Sequence, residues 1–127
     1  RPLLIGSPDL PHTWTDIRDV ARTLVAVAGD PAAWGRVWHV PSNAPKTQRE
    51  ALTEIAAVLG RPLARPRVMG AGALRALGIF SPFLRELAGT AYQFTDPFVM
   101  DSAAAQRQLG LSPAAWSETV RATADEN

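Results

Sequence analysis

The sequence predicts an α/β fold that is helix-rich, with a few short strands, and three observations predict it. Apolar residues recur at three- and four-residue spacing in several segments, most of them opened by Thr, Ser or Asp in a capping position. Runs with strand character are short and would not build a large sheet by themselves. Gly or Pro punctuates nearly every segment boundary.

Trp14 and Thr15 favour strand, and Thr15 or Asp16 can cap a helix beginning near Ile17. Ile17, Val20, Ala21, Leu24, Val25 and Ala28 share one face of that helix, the face expected to be buried. Gly29 is placed to end it in a left-handed turn, and Pro31 blocks a restart. Side chains from His12 to Thr15 can then point into a cleft while the helix packs behind them. Arg36–Pro41 reads as a short strand. Thr47-Gln48-Arg49-Glu50 has the pattern of a capping box, opening a helix that turns Leu52, Ile55, Ala56 and Leu59 inward and stops at Gly60-Arg61-Pro62.

A short extended piece is expected at Arg67–Met69, then a helix near Ala73–Leu77 with a turn at Gly78. Ser81-Pro82 launches a helix through Phe83, Leu84, Leu87 and Ala91. Phe98–Met100 reads as a brief strand. Asp101 or Ser102 caps a helix ending at Leu109-Gly110. Ser112-Pro113 opens the last helix, with Trp116 and Val120 on its buried face, and the tail from Asp125 is expected to fray.

At 127 residues the chain is read as a single domain, 1–127, large enough for a hydrophobic core. Thirteen basic residues against twelve acidic ones are spread along it, so no basic surface is concentrated enough to predict a nucleic-acid partner. The absence of cysteine excludes disulfides, thiolate metal sites and cysteine nucleophiles, and His12 and His39 as lone imidazoles make a structural zinc site a poor expectation. No apolar run approaches the roughly 20 residues of a membrane span, so no membrane partner is expected, and the expected location is cytoplasmic. The chain lacks an initiator methionine, which suggests a segment of something longer.

Gly70-Ala71-Gly72-Ala73-Leu74-Arg75 follows a strand-like piece and enters a helix, as a dinucleotide-binding turn would. Arg75 stands where that turn needs its third glycine, so a plain turn is the better reading. The stretch from Thr47 to Arg67 mimics a helix-turn-helix, but its second helix would run through Pro62 and Pro66, each costing roughly 3 kcal/mol. Four residues after Tyr92, the sole tyrosine, stands Asp96, and Ser42 lies four before Lys46, the sole lysine. A tyrosine activated by a lysine one turn away is therefore impossible here. No Ser, His and acid combination has a spacing that names a triad. His39 is expected to be packed in its strand and His12 to be a solvated loop histidine. The four tryptophans are expected in the core, and Tyr92-Gln93-Phe94 either plugs the core or walls a cleft. Ile79-Phe80-Ser81-Pro82-Phe83 is unusually apolar for a loop.

In series, these segments resemble the C-terminal, substrate-side part of an extended short-chain dehydrogenase/reductase of the NAD-dependent epimerase/dehydratase type. Trp14-Thr15-Asp16-Ile17-Arg18-Asp19-Val20-Ala21 resembles the family's aromatic-x-x-Val-x-Asp-Val-Ala signature. Trp38-His39-Val40-Pro41 with Thr47-x-x-Glu50 is similar to the strand-and-helix unit that follows, and Phe98–Ser102, Ala105, Leu109-Gly110-Leu111 and Pro113 to the closing strand, cap and turn. The resemblance covers nearly the whole chain. It implies a Rossmann-type parent whose glycine-rich loop, catalytic Ser/Thr and Tyr-x-x-x-Lys pair lie in a missing N-terminal domain.

The resemblance also implies NAD or NADP in the parent and none bound by this chain alone, with a small-molecule substrate. It places His12, Thr13, Trp14 and Tyr92 along the substrate cleft and supplies no catalytic, cofactor-binding or metal residue here. Where sugar-nucleotide members carry arginine before the aromatic, this chain has His12, which argues against a diphosphate-sugar reactant. A severed half could also pair with a second copy as a homo-oligomer. The alternative is a free-standing protein-interaction module gripping a partner through an apolar patch around Phe80, Phe83 and Leu84.

Overall fold

The computed structural model describes residues 2–63 and 65–125. In chain order these form β1 (Leu3–Ile5), β2 (Pro11–His12), α1 (Ile17–Gly29), a 3₁₀ turn (Pro31–Ala33), β3 (Lys46–Thr47), α2 (Gln48–Val58) and β4 (Arg67–Met69). They continue with α3 (Ala71–Gly78), α4 (Pro82–Gly89), α5 (Tyr92–Thr95), α6 (Ala103–Leu109) and α7 (Trp116–Asp125). Helix dominates and the strands are short, as expected. Asp125, where fraying was expected to begin, is still helical as the last residue of α7, and Glu126 and Asn127 lie outside the described residues.

The chain divides into two compact units, each made of two stretches. The first joins the residues up to His12 with Lys46–Phe98; the second joins Thr13–Pro45 with the residues from Val99 onward.

In the first unit β1 and β4 pair in parallel, Leu4 opposite Val68, and β2 and β3 pair antiparallel, His12 opposite Lys46. Sequence reading missed β1: its few residues carry no periodicity, and its strand character comes from pairing with β4. The expected Phe98–Met100 strand contracts to a single parallel bridge between Phe98 and His12. The capping box forms as predicted. The Thr47 hydroxyl accepts from the Glu50 amide at 3.1 Å, and the Glu50 carboxylate accepts from the Thr47 amide at 2.7 Å. The Thr47 amide and the Thr47 hydroxyl, which both donate to the Glu50 carboxylate, hold it below the usual carboxylate range.

Gln48, buried at the start of α2, donates to the carbonyls of Ile5 and Ser7 at 2.9 and 3.0 Å and so closes the end of β1. Leu52, Ile55 and Ala56 are half-buried and, with Leu59, Pro2 and Leu63, line an open apolar groove of about 330 Å³. Ser81 caps α4 as expected, accepting from the Leu84 amide at 3.5 Å. α3 and α4 form a hairpin with Leu74 fully buried; α3 starts at Ala71, two residues before the predicted boundary.

The second unit inverts an expectation. Asp16 does cap α1 at Ile17, but the side of the helix that is buried is polar: Asp16, Asp19 and Thr23. Ile17, Leu24 and Val25, on the face predicted to be inside, are 77%, 66% and 75% exposed. The buried apolar side chains here are small: Ala33, Pro41, Ala105, Val120 and Ala124. Gly29 does not turn left-handed; it stays helical, and Asp30 ends the helix in extended conformation while capping the 3₁₀ turn.

The expected strands at Trp14–Thr15 and Arg36–Pro41 do not form: among the described residues neither run takes part in a backbone ladder. The second of these runs has no regular secondary structure and is held by side chains. The Trp38 indole donates to the Ala33 carbonyl at 2.9 Å, and the Arg36 guanidinium lies 4.4 Å from the Trp38 ring centroid. Trp34, expected in the core, is largely exposed, as is His39, whose Nδ1 lies 2.8 Å from the Asp101 carbonyl oxygen. α6 ends at Gly110 in the left-handed region, as its sequence predicts. α7 starts only at Trp116, three residues beyond Pro113; Val120 is buried and Trp116 half-buried. Among the described residues no helix is long and apolar enough to cross a membrane.

Candidate functional site

The predicted site residues fall in both units: His12 and Tyr92 in the first, Thr13 and Trp14 in the second. His12 is not the solvated loop residue expected. It sits in β2 with its ring stacked on Phe94 (centroids 5.3 Å apart, planes at 10°) and on Phe98 (5.2 Å, 30°). Tyr92 meets the same Phe98 ring edge-on at 6.3 Å, so one phenylalanine joins the two candidates into a single aromatic cluster. Tyr92 remains 56% exposed. The local chain explains the arrangement. α5 is one turn long, presenting Tyr92 outward and Phe94 towards β2. The Phe98 amide donates to the Pro11 carbonyl at 2.9 Å, which fixes the register against His12.

Gly6 anchors the other side of the cluster. Its φ of +71° suits glycine, and a Cβ there would lie 2.2 Å from the Phe94 carbonyl oxygen; the following Ser7 amide donates to that same oxygen at 2.7 Å. Phe98 is the site residue that sequence reasoning missed, and Phe94, read there as a core plug or a cleft wall, was not joined to His12. They meet His12 through strand register between distant stretches, and no local signal announces that.

Thr13 is buried, and its hydroxyl accepts from the Met100 amide at 2.9 Å. Trp14 is half-buried. Just after them the Asp16 carboxylate accepts from the Arg18 amide at 2.8 Å, the Arg18 guanidinium at 2.6 Å and the Thr119 hydroxyl at 2.8 Å. The Arg18 hydrogen bonds dominate in holding Asp16 far below the ordinary carboxylate range. Asp19 accepts from the Ala114 amide at 2.8 Å and pairs with Arg22. These carboxylates are fully engaged in tying α1 to α7 and to the segment before it.

The apolar patch predicted around Phe80, Phe83 and Leu84 forms in part. Phe80 is 88% exposed and Phe83 nearly as open, joined by Ile79, while Leu84 is half-buried. The patch and Tyr92 lie at opposite ends of α4, about 12 Å of helix apart.

Gly70 and Gly72 form a plain helix start. Gly70 has a φ of −71°, and a Cβ on either residue would meet nothing within 4 Å. A dinucleotide needs close backbone approach at such a turn and a third glycine where Arg75 stands, so these residues do not fit one. Among the described residues no three His, Asp or Glu side chains gather as metal ligands. Compared with known proteins, the chain matches no family model, and no curated protein matches it.

Proposed function

We propose that this chain is the substrate-binding portion of an NAD(P)-dependent epimerase, dehydratase or reductase, working with a Rossmann-type dinucleotide-binding domain it does not contain. The parent would move hydride between a nicotinamide ring and a carbonyl or alcohol carbon. This portion would bind the reactant, shape its pocket and keep water out. The observation carrying the reading is α1. A helix with its polar face inside and Ile17, Leu24 and Val25 in solvent is one side of a packing layer whose other side is elsewhere. The Arg36–Pro41 segment, strand-like in sequence but in no backbone ladder among the described residues, supports the same reading. The resemblance in the segments from Trp14, Trp38 and Phe98 supplies the reaction class.

The predicted division of labour is tested by calorimetric titration of the chain with NAD and with NADP. No micromolar binding is expected, and micromolar binding to either cofactor refutes it. A second reading has its own observation in the open Ile79, Phe80 and Phe83 side chains: an interaction module that grips another protein. Sedimentation of the chain separates the readings from self-association. A homo-oligomer broken by substitution at Phe80 and Phe83 points to the patch, and one broken at Leu24 and Val25 points to α1.

A further inference from the structure

The aromatic cluster of the first unit carries a statement about the reactant's chemistry. Tyr92 and Phe98 offer ring surface over the His12 stack, and aromatic faces attract apolar groups and cations while repelling anions. The charges placed around the cluster do not compensate. Lys46, directly opposite His12 in the β2–β3 register, is bridged to Glu54 at 2.8 Å, and Arg49 on α2 to Asp9 at 2.7 Å. Arg67 pairs with Leu3, three residues from Gly6 and so about 10 Å of strand away from the cluster. The charge nearest Tyr92 in the chain is negative: Asp96 directly follows α5, its amide donating to the Tyr92 carbonyl at 3.1 Å.

We infer that the part of the reactant taken by this surface is an uncharged, apolar body of aromatic size, not a phosphorylated sugar or another phosphate ester. A diphosphate needs several donors or cations facing it to replace its water. On this surface it would meet ring faces at Tyr92 and Phe98, a lysine opposite His12 already bridged to Glu54, and Asp96 next after α5. The inference rests on the substrate-binding reading above and names the substrate class of that site.

The test is a titration of the whole chain followed by amide chemical shifts, with 2-acetylnaphthalene as the uncharged aromatic ketone and UDP-glucose as the phosphorylated probe. The expected result is saturable movement of the Tyr92, Gln93 and Phe98 amides by 2-acetylnaphthalene with a Kd of about 1 mM or tighter. UDP-glucose should leave them in place. Tyr92→Ser should weaken the ketone by about tenfold and Tyr92→Phe by no more than about twofold. Tyr92 is exposed enough for both variants to fold, which unchanged circular dichroism would verify. Movement by UDP-glucose, no movement by the ketone, or equal ketone binding by Tyr92→Ser overturns the inference. Micromolar NAD or NADP binding by the chain would instead overturn the division of labour and leave ketone binding at Tyr92 intact.

Discussion

Asp16 accepts from an amide, a guanidinium and a hydroxyl, so its carboxylate both caps α1 and holds α7. Replacing it with alanine removes the cap and strands the Thr119 hydroxyl, and denaturant unfolding should show a loss of about 2 kcal/mol. Its folded-state pKa is depressed below the unfolded value of about 3.9, so its stabilisation is fully present above that value and fades as pH falls through and below it. The Tm gap between the protein and Asp16→Ala should therefore be widest near neutral pH and shrink below about pH 4. Gly6 is the other sensitive position. Gly6→Ala forces an L side chain into positive φ and against the Phe94 carbonyl, for a loss of at least about 2 kcal/mol and a fall in Tm of roughly 5–10 °C.

Among the elements, the capped helices are the legible part. A cap is a contact between neighbours in sequence, so Thr47 with Glu50, Ser81 before Pro82 and Gly110 after Leu109 announce themselves. Thr47→Ala should cost about 1 kcal/mol, measured by thermal unfolding. Gly29 tests the opposite case. Since it is helical and open on its outer side, Gly29→Ala should stabilise by about 0.5–1 kcal/mol, where a left-handed glycine would have made the same change harmful. Strands were read unevenly: β4 stands where the extended piece at Arg67–Met69 was expected, but β1 and the Phe98 bridge exist through pairing with distant stretches, and the Trp14 and Arg36 runs enter no backbone ladder among the described residues. In the candidate site, Tyr92, Phe94 and His12 could be picked as residues, but Phe98, the ring that joins Tyr92 to His12, could not.

For the molecule as a whole, periodicity told which face of α1 is apolar and could not tell what lies against it. The inversion follows from the small apolar core of the second unit, where the hydrogen bonds of Asp16 and Asp19 decide which side of α1 packs inward. Leu24→Glu with Val25→Glu should shift the unfolding free energy of the chain by no more than about 0.5 kcal/mol per substitution. The same pair should lower its binding of an apolar fluorescent dye. A large destabilisation instead would mean that this face is covered by the chain itself.

The division into two units by four alternating stretches has a practical consequence for anyone dissecting the protein. The polypeptide passes from one unit to the other three times, after His12, Pro45 and Phe98, so no contiguous gene segment encodes either unit alone. Limited proteolysis at one junction cannot release both intact, and their separate expression calls for rejoined or circularly permuted genes.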